Sequence, residues 1–176
     1  MGRLALGVAA VLALGVLPGC VSPENAPAVS RFDDENIEKD AIGRINTLHT
    51  GKVRVNVTSF NRRLLLTGEV PNGSSREEIE RIVSGVAKVR AVSNELVIGD
   101  IIGISPRTTD SWITSDVKFS FRKSREIHAN DIRVTTENGT VFLMGTVRRR
   151  EGAAAADLAS TTNRVQRVVL LFDYLD

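Results

Sequence analysis

Residues 55–70 read VNVTSFNRRLLLTGEV, and residues 132–147 read IRVTTENGTVFLMGTV. The two stretches align without a gap at a shift of 77 residues, and six of their 16 positions are identical. The identical pairs are Val57/Val134, Thr58/Thr135, Asn61/Asn138, Leu66/Leu143, Gly68/Gly145 and Val70/Val147. Because internal similarity at a fixed spacing marks repeated structural units, the chain is predicted to be a tandem pair of one small unit.

Each unit shows the same order of predicted elements: helix, strand, strand, helix, strand. In the first unit, Asp33 or Asp34 is placed to cap a helix whose core positions recur at helical spacing; they are Ile37, Ala41, Ile45 and Leu48. Apolar alternation and turn residues predict the other elements of this unit as strands at 53–57 and 64–70, a helix over 76–89 and a strand over 92–98. The corresponding elements of the second unit are predicted near 110–123, 132–136, 141–147, 152–163 and 168–174.

The connections between strands predict the fold. Asn61-Arg62 and Asn138-Gly139 are candidate two-residue hairpin turns, so the first two strands of each unit should be antiparallel. The second and third strands are joined through a helix and should be parallel. We therefore predict an α+β fold (an α/β sandwich) of two αββαβ units, each a three-stranded mixed sheet with two helices on one face. Gly68 and Gly145 should permit close packing or a bend at the end of the second strands. Units of about 65 residues have marginal cores, which favours packing of one unit against the other.

The N-terminus predicts export and a lipid anchor. Residues 4–17 form an uncharged apolar run after Arg3, too short to span a bilayer and typical of a secretory signal. Leu17-Pro18-Gly19-Cys20 then resembles the bacterial lipobox, in which the Cys is lipidated and becomes the mature N-terminus. In lipobox proteins a residue other than Asp after the Cys, here Val21, implies sorting to the outer membrane of a Gram-negative cell, facing the periplasm. The alternative is an ordinary signal peptide with an incidental Cys.

The repeated unit, with its Leu-x-Gly-x-Val strand, resembles the BON domain. With two copies and a lipobox, the chain is similar to the dual-BON outer-membrane lipoproteins. The expected segments are a signal peptide at 1–19, a lipidated N-terminus and tether at 20–31, BON domains at 32–98 and 110–176, and a linker at 99–109. The resemblance is most specific in the second unit, at Asp110-Ser111-Trp112-Ile113-Thr114 and through residues 134–145. It implies binding of anionic phospholipid such as phosphatidylglycerol and support of envelope integrity, with links to stress resistance and cell division and without catalysis.

Composition and motifs favour a binding protein rather than an enzyme. A chain with 42% apolar and 25% charged residues is expected to be globular, and a net charge of +2 gives no reason to expect nucleic acid as a partner. One Cys and two His leave little material for a metal site, and no phosphate loop, dinucleotide fingerprint or nucleophile elbow is present. His49 and His128 are each interpreted as solvated turn residues. We expect no cofactor, no metal and no catalytic residue.

The candidate lipid-binding surface lies on the first helix of the second unit. Ile113, Val117 and Phe121 recur every four residues and should face the sheet. The candidate phospholipid-binding residues lie elsewhere on this helix and are Trp112, Lys118, Phe119, Arg122 and Lys123. An amphipathic ring beside cations suits the boundary between headgroups and acyl chains, and the BON resemblance implies that the lipid-binding surface lies on this helix and includes Trp112. The alternative is that Trp112 plugs the contact between the units while the cations are simply solvated.

Two further possibilities remain open from the sequence. Arg148, Arg149 and Arg150 form a second basic run, interpreted as an exposed loop or as an extension of the anionic-lipid face. The second candidate function is a protein-interaction adaptor or chaperone-like module whose partners belong to the outer-membrane assembly machinery. Residues 31–100 balance 11 Lys and Arg against 11 Asp and Glu, so the first unit shows no bias toward anionic lipid.

Overall fold

The computed structural model describes residues 26–49, 51, 53–99 and 107–176. The first unit contains, in order, α1 (Ala26–Leu48), β1 (Arg54–Phe60), β2 (Arg63–Val70), α2 (Gly73–Ser84) and β3 (Ala91–Ile98). The second contains α3 (Arg107–Lys123), β4 (Ile132–Glu137), β5 (Thr140–Val147), α4 (Arg149–Ser160) and β6 (Arg167–Tyr174), with a short 3₁₀ turn before β4. The predicted αββαβ order is confirmed in both units.

Each unit holds one mixed three-stranded sheet with the hairpin strands first. β1 pairs antiparallel with β2, and β2 pairs parallel with β3, in the order β1-β2-β3. β4, β5 and β6 repeat this pairing. The equivalent residues Gly68 and Gly145 face Val55 and Ile132 across the two hairpins. The α+β class and the parallel crossover are therefore as predicted.

Both predicted hairpin turns are present, and both need left-handed backbone. Asn61 and Arg62 have φ of 49° and 63°, and Asn138 and Gly139 have φ of 48° and 71°. Two consecutive residues with positive φ are the signature of the type I′ turn, whose twist matches that of the flanking strands. Asn and Gly tolerate this region readily, whereas Arg62 needs support from its surroundings.

The two helices of each unit cover one face of its sheet and form its core. In the first unit Ile37, Ala41 and Ile45 of α1 are buried against residues of β2 and α2. In the second unit Ile113, Val117 and Phe121 of α3 pack against β4, β5 and α4. The prediction that Leu48 is a core position is wrong: Leu48 is the last residue of α1 and is 60% exposed.

The first helix begins earlier than predicted. α1 starts at Ala26, so the last six residues of the segment interpreted as a tether are helical. Asp33 and Asp34 therefore lie inside the helix rather than at its cap, and both are buried. Their carboxylates serve other partners: Asp33 binds Lys88 at 2.6 Å, and Asp34 accepts hydrogen bonds from the β1–β2 turn.

The second helix of each unit also differs from its predicted bounds: both begin three residues earlier, α2 ends five residues earlier and α4 ends three residues earlier. α2 begins at Gly73 because Asn72 caps it, its side chain accepting a hydrogen bond from the Ser75 amide at 2.9 Å. The chain then turns toward the third strand through Lys88 and Arg164, which occupy equivalent positions with φ of 70° and 69°. Apolar residues at helical spacing do not reveal where a left-handed residue ends a helix. The predicted helices therefore extend into the turns that follow α2 and α4.

The two sheets pack face to face through the sides that carry no helices. Leu64 and Leu66 point into the first core, so Leu65 points to the opposite side. There it is 1% exposed and packs with Phe142 and Met144 of β5 in a separate apolar cluster. The molecule therefore has four layers, in the order α1/α2, first sheet, second sheet, α3/α4.

Polar contacts surround this apolar contact between the sheets. Arg54 donates to Glu137 at 2.5 Å and to Glu69 at 2.7 Å. At equivalent positions on opposite edges, Asn138 donates to Glu69 at 3.3 Å, and Asn61 donates to Thr146 at 2.9 Å. The repeated pairing indicates an approximate twofold relation between the two units.

Candidate functional site

One face of helix α3 is buried in the core, and this face determines which side chains of the helix point away from the sheet. Ile113 and Phe121 are each 1% exposed, and Val117 is fully buried. The Thr114 hydroxyl donates to the Thr136 hydroxyl of β4 at 2.7 Å, and the Asp110 carboxylate accepts hydrogen bonds from amides of the β4–β5 turn. The predicted core face of α3 is confirmed, and its opposite side faces away from the sheet.

Trp112 and Phe119 lie on this outward side of α3. They are 63% and 52% exposed. Seven residues correspond to two helical turns, so the two rings project in nearly the same direction about 10 Å apart along the axis. The interpretation of Trp112 as a plug between the units is wrong, because the units meet through their sheets and Trp112 lies on the outer helical layer.

The candidate cations follow the same helix toward its C-terminus. The Lys123 Nζ lies 4.2 Å from the centre of the Phe119 ring, a cation–π contact that holds ring and charge together. Desolvation lowers the pKa of Lys118, and the nearby charges of Arg133 and Arg122 lower it further. Lys118 therefore lies near two other cations, Arg122 of the same helix and Arg133 of β4. The structure thus brings all five candidate residues onto one exposed helix.

A shallow cleft beside Trp112 contains residues that the sequence analysis missed. It has a volume of about 400 Å³ and is lined by Trp112, Ile113, Asp116, Asn163 and Arg164. Arg164 follows the end of α4, some 50 residues from Trp112 in sequence, and reaches this place because α3 and α4 lie side by side. No local pattern links two residues so far apart. The repeat offers one signal, since Arg164 is equivalent to Lys88, another cation in the left-handed region.

The basic run after β5 begins a helix. Arg148 precedes α4, and Arg149 and Arg150 form its first turn, so the interpretation as an exposed loop is wrong. All three side chains are exposed. The Arg150 guanidinium lies 3.7 Å from Glu126, in the loop after α3. This contact shows that the start of α4 lies beside the end of α3, where Lys123 is also found.

The two histidines differ. His128 is exposed, as predicted, and its Nδ1 lies 3.1 Å from Glu151. The interpretation of His49 as solvated is wrong: it is buried, with its Nε2 3.3 Å from a Glu78 oxygen of α2. Packing between the end of α1 and the start of α2 encloses it. Within the part of the chain that the structure describes, no group of three or more His, Cys, Asp and Glu side chains is placed to hold a metal ion.

The predicted lipidation site, Cys20, lies outside the described residues, as does the apolar run before it. Among the described helices, none combines the length and apolar character that crossing a bilayer requires.

Comparison with known proteins assigns both units to one family. The BON domain model matches residues 33–100 and 109–175. The outer membrane lipoprotein DolP of Haemophilus influenzae is 35% identical over 172 residues, covering 96% of this chain and 89% of that protein. The 21 kDa hemolysin of Actinobacillus pleuropneumoniae is 31% identical over 157 residues, covering 88% of this chain and 80% of that protein.

Solved structures give a weaker likeness. CdsD, a structural protein of the type III secretion system of Chlamydia trachomatis, matches at 13% identity with a TM-score of 0.32, covering 80% of this chain and 94% of that one. The sequence matches are the stronger finding, since they cover nearly the whole chain and both repeats. The chain therefore belongs to the BON family and carries two copies of the domain.

Proposed function

We propose that this chain is a lipoprotein of the outer membrane, anchored by acyl chains on Cys20 and facing the periplasm, whose second BON domain binds anionic phospholipid. The similarity to DolP, an outer membrane lipoprotein, supports the location. The run of apolar residues ahead of a single Cys supports the anchor. In this role the protein binds lipid headgroups such as phosphatidylglycerol and supports envelope integrity under stress, without catalysing a reaction.

The exposed pair of rings on α3 is the observation that carries the proposal. Trp112 and Phe119 are large apolar side chains that folding has left in contact with water, and an exposed apolar patch with polar surroundings marks an interaction surface. Both rings project from one side of one helix, so in residues 21–176, which lack the anchor, both can enter a flat boundary at the same time. An amphipathic helix in this position binds a bilayer by burying its apolar side chains at the level of the headgroups.

The charges beside these rings favour an anionic surface. Lys123 is held over Phe119, and Lys118 lies among Arg122 and Arg133. Each cation near an anionic bilayer contributes about 1 kcal/mol before salt screening. Asp116 lies between the two rings on the outward side and opposes this attraction locally. Binding should therefore require several cations and weaken as salt rises.

Flotation with vesicles tests the proposal without the acyl anchor. Residues 21–176 should float with vesicles that contain phosphatidylglycerol and should remain at the bottom with purely zwitterionic vesicles. Phe119→Ala removes an interfacial ring and should weaken binding about tenfold, and Trp112→Ala should weaken it at least as much. Leu48→Ala is the matched control, because Leu48 is also exposed, at 60%, but lies on the first domain.

Two outcomes would count against the proposal. Equal flotation with anionic and zwitterionic vesicles would show that charge plays no part. Flotation with neither would make the acyl chains the only contact with the membrane and would favour the second candidate function, a protein-interaction adaptor of outer-membrane assembly.

A further inference from the structure

The first helix extends beyond the end of its sheet. Asp34 of α1 accepts hydrogen bonds from the amides of Asn61 and Arg62 in the β1–β2 turn, at 2.9 and 2.8 Å. The helix begins eight residues before Asp34, at Ala26. At 1.5 Å per residue, its first part therefore projects about 12 Å past the turn.

The end of α3 and the start of α4, which carry many of the cations of the second domain, lie at the same end of the molecule as the β1–β2 turn. Asn61 donates to Thr146 at 2.9 Å, where β5 is about to lead into α4. Glu38 of α1 lies 3.9 Å from Arg133 at the start of β4, which follows the loop after α3. The start of α1, the end of α3 and the start of α4 thus lie at one end. We name this the anchor end and define it as residues 26–33, 61–62, 122–131 and 148–150.

Trp112 lies at the other end. It occupies the second turn of α3, beside residues that follow the C-terminus of α4. Eleven residues separate Trp112 from Lys123, which corresponds to about 16 Å along the helix. The exposed side of α3 therefore runs from Trp112, far from the start of α1, to Lys123 at the anchor end.

Chain length limits how the protein meets the bilayer that holds Cys20. Six residue steps lead from Cys20 to Ala26, and an extended chain spans at most about 3.5 Å per step, or about 20 Å in total. α1 and α3 lie in the two outer layers of a four-layer molecule, and layers about 10 Å thick place their axes about 30 Å apart. With α1 intact, α3 does not reach a flat position on the bilayer while Cys20 is anchored in it.

We propose that in the anchored protein the anchor end contacts the anionic bilayer, and that the first domain contributes Arg31 and Phe32 to this contact. The inference rests on the acylation of Cys20 in the proposed function and adds an orientation to it. α3 is inclined, with Lys123 and Phe119 closer to the bilayer than Trp112. The lipid-binding surface therefore includes both domains.

The side chains of the anchor end suit this contact. Phe32 is 66% exposed, although Ile37 and Ala41 of the same helix are buried in the core. Exposed cations at this end for which the described residues provide no carboxylate partner are Arg31, Arg62, Arg122, Lys123, Arg125 and Arg148. The exposed carboxylate of this end without a cation partner among the described residues is Asp131, and Glu35 lies just beyond it on α1. The other charges compensate one another, as in the Lys88–Asp33 and Arg150–Glu126 pairs, so the balance is positive.

Fluorescence quenching in the anchored protein tests the orientation. Residues 20–176 are coupled through the single Cys20 thiol to a maleimide lipid in vesicles of phosphatidylglycerol with brominated acyl chains. Trp112 is the only tryptophan, so Trp112→Phe provides a dark background for a probe elsewhere. In that background Phe32→Trp should lose fluorescence to the brominated chains. Leu48→Trp is the matched control, because Leu48 has similar exposure at the opposite end of the same helix, and it should retain its fluorescence.

A second pair of measurements tests the charges. Arg125→Glu together with Arg148→Glu should reduce quenching of the Phe32→Trp probe on anionic vesicles, because each reversal replaces an attraction with a repulsion. Unchanged quenching would show that the tether alone holds this end near lipid and would overturn the inference.

The outcomes separate this inference from the proposed function. Equal quenching of the Phe32→Trp and Leu48→Trp probes, or strong quenching of Trp112 with neither probe affected, would overturn the orientation while lipid binding stands. Failure of residues 21–176 to float with anionic vesicles would overturn the proposed function itself.

Discussion

Two buried aspartates perform the same task in the two domains. Asp34 accepts hydrogen bonds from the amides of Asn61 and Arg62, and Asp110 accepts them from Asn138 and Gly139, at 2.8–2.9 Å. Each aspartate belongs to the first helix of its domain. A carboxylate that binds two turn amides fastens the helix to the hairpin and stabilises left-handed turn residues.

Replacing Asp34 therefore tests the hydrogen bonds between α1 and the β1–β2 turn. Asp34→Ala leaves the turn amides without an acceptor and should lower the free energy of unfolding by about 2–3 kcal/mol, measured by urea denaturation. Glu35→Ala is the control, since Glu35 is adjacent but exposed. Equal stability of the two variants would show that the turn is held by its own sequence.

At the scale of elements, each hairpin depends on a glycine in its second strand. A Cβ on Gly145 would lie 2.6 Å from the Asp131 carbonyl oxygen, and a Cβ on Gly68 would overlap the Arg54 carbonyl. Gly68 also has a φ of 119°, a conformation that L side chains rarely adopt. The sequence allowed either close packing or a bend at these positions. The structure shows close packing, and the neighbour that approaches is backbone.

Alanine at these positions should open the hairpins. Gly145→Ala should destabilise the protein by about 2 kcal/mol or more, because the first strand must move, whereas Gly43→Ala should stabilise it by up to about 1 kcal/mol. Gly43 lies in the interior of α1 with open space around it, which makes it a matched control. Thermal unfolding measures both, and a stabilised Gly145→Ala would contradict the close approach.

At the scale of the whole molecule, ion pairs surround the contact between the sheets. The hydrogen bond from Arg54 holds the pKa of Glu69 below its usual value, although burial opposes this. Burial raises the pKa of Asp173, but hydrogen bonds from Arg90 and Arg63 outweigh it and leave that pKa lowered. Three of these contacts, Arg63–Asp173, Arg90–Asp173 and Arg54–Glu137, join one domain to the other.

Acid should therefore weaken the protein through this interface. A carboxyl whose pKa is lowered by folding stabilises the folded state above its unfolded pKa, about 4 for Asp and Glu. That stabilisation is lost as the pH falls through the lower folded value. The urea midpoint should fall as the pH drops from about 5 toward 3, and Arg63→Gln should make the fall shallower. An identical pH dependence in that variant would remove Asp173 as a cause.

The sequence by itself determined those features of the structure that depend on residues close together in the chain. The repeat, the two-residue hairpin turns at Asn61-Arg62 and Asn138-Gly139, and the buried face of α3 follow from short-range spacing and turn preference.

Only the tertiary structure decided which distant surfaces meet. Leu65 packs against Met144 of the other domain, and Arg164 lies beside Trp112. His49 is buried, and the start of α1 lies beside the basic end of the second domain. The tertiary structure also left Trp112 exposed, where the sequence allowed either a plug or a free ring. These outcomes depend on how two sheets stack, and stacking is selected by the fit of whole apolar faces rather than by any local pattern.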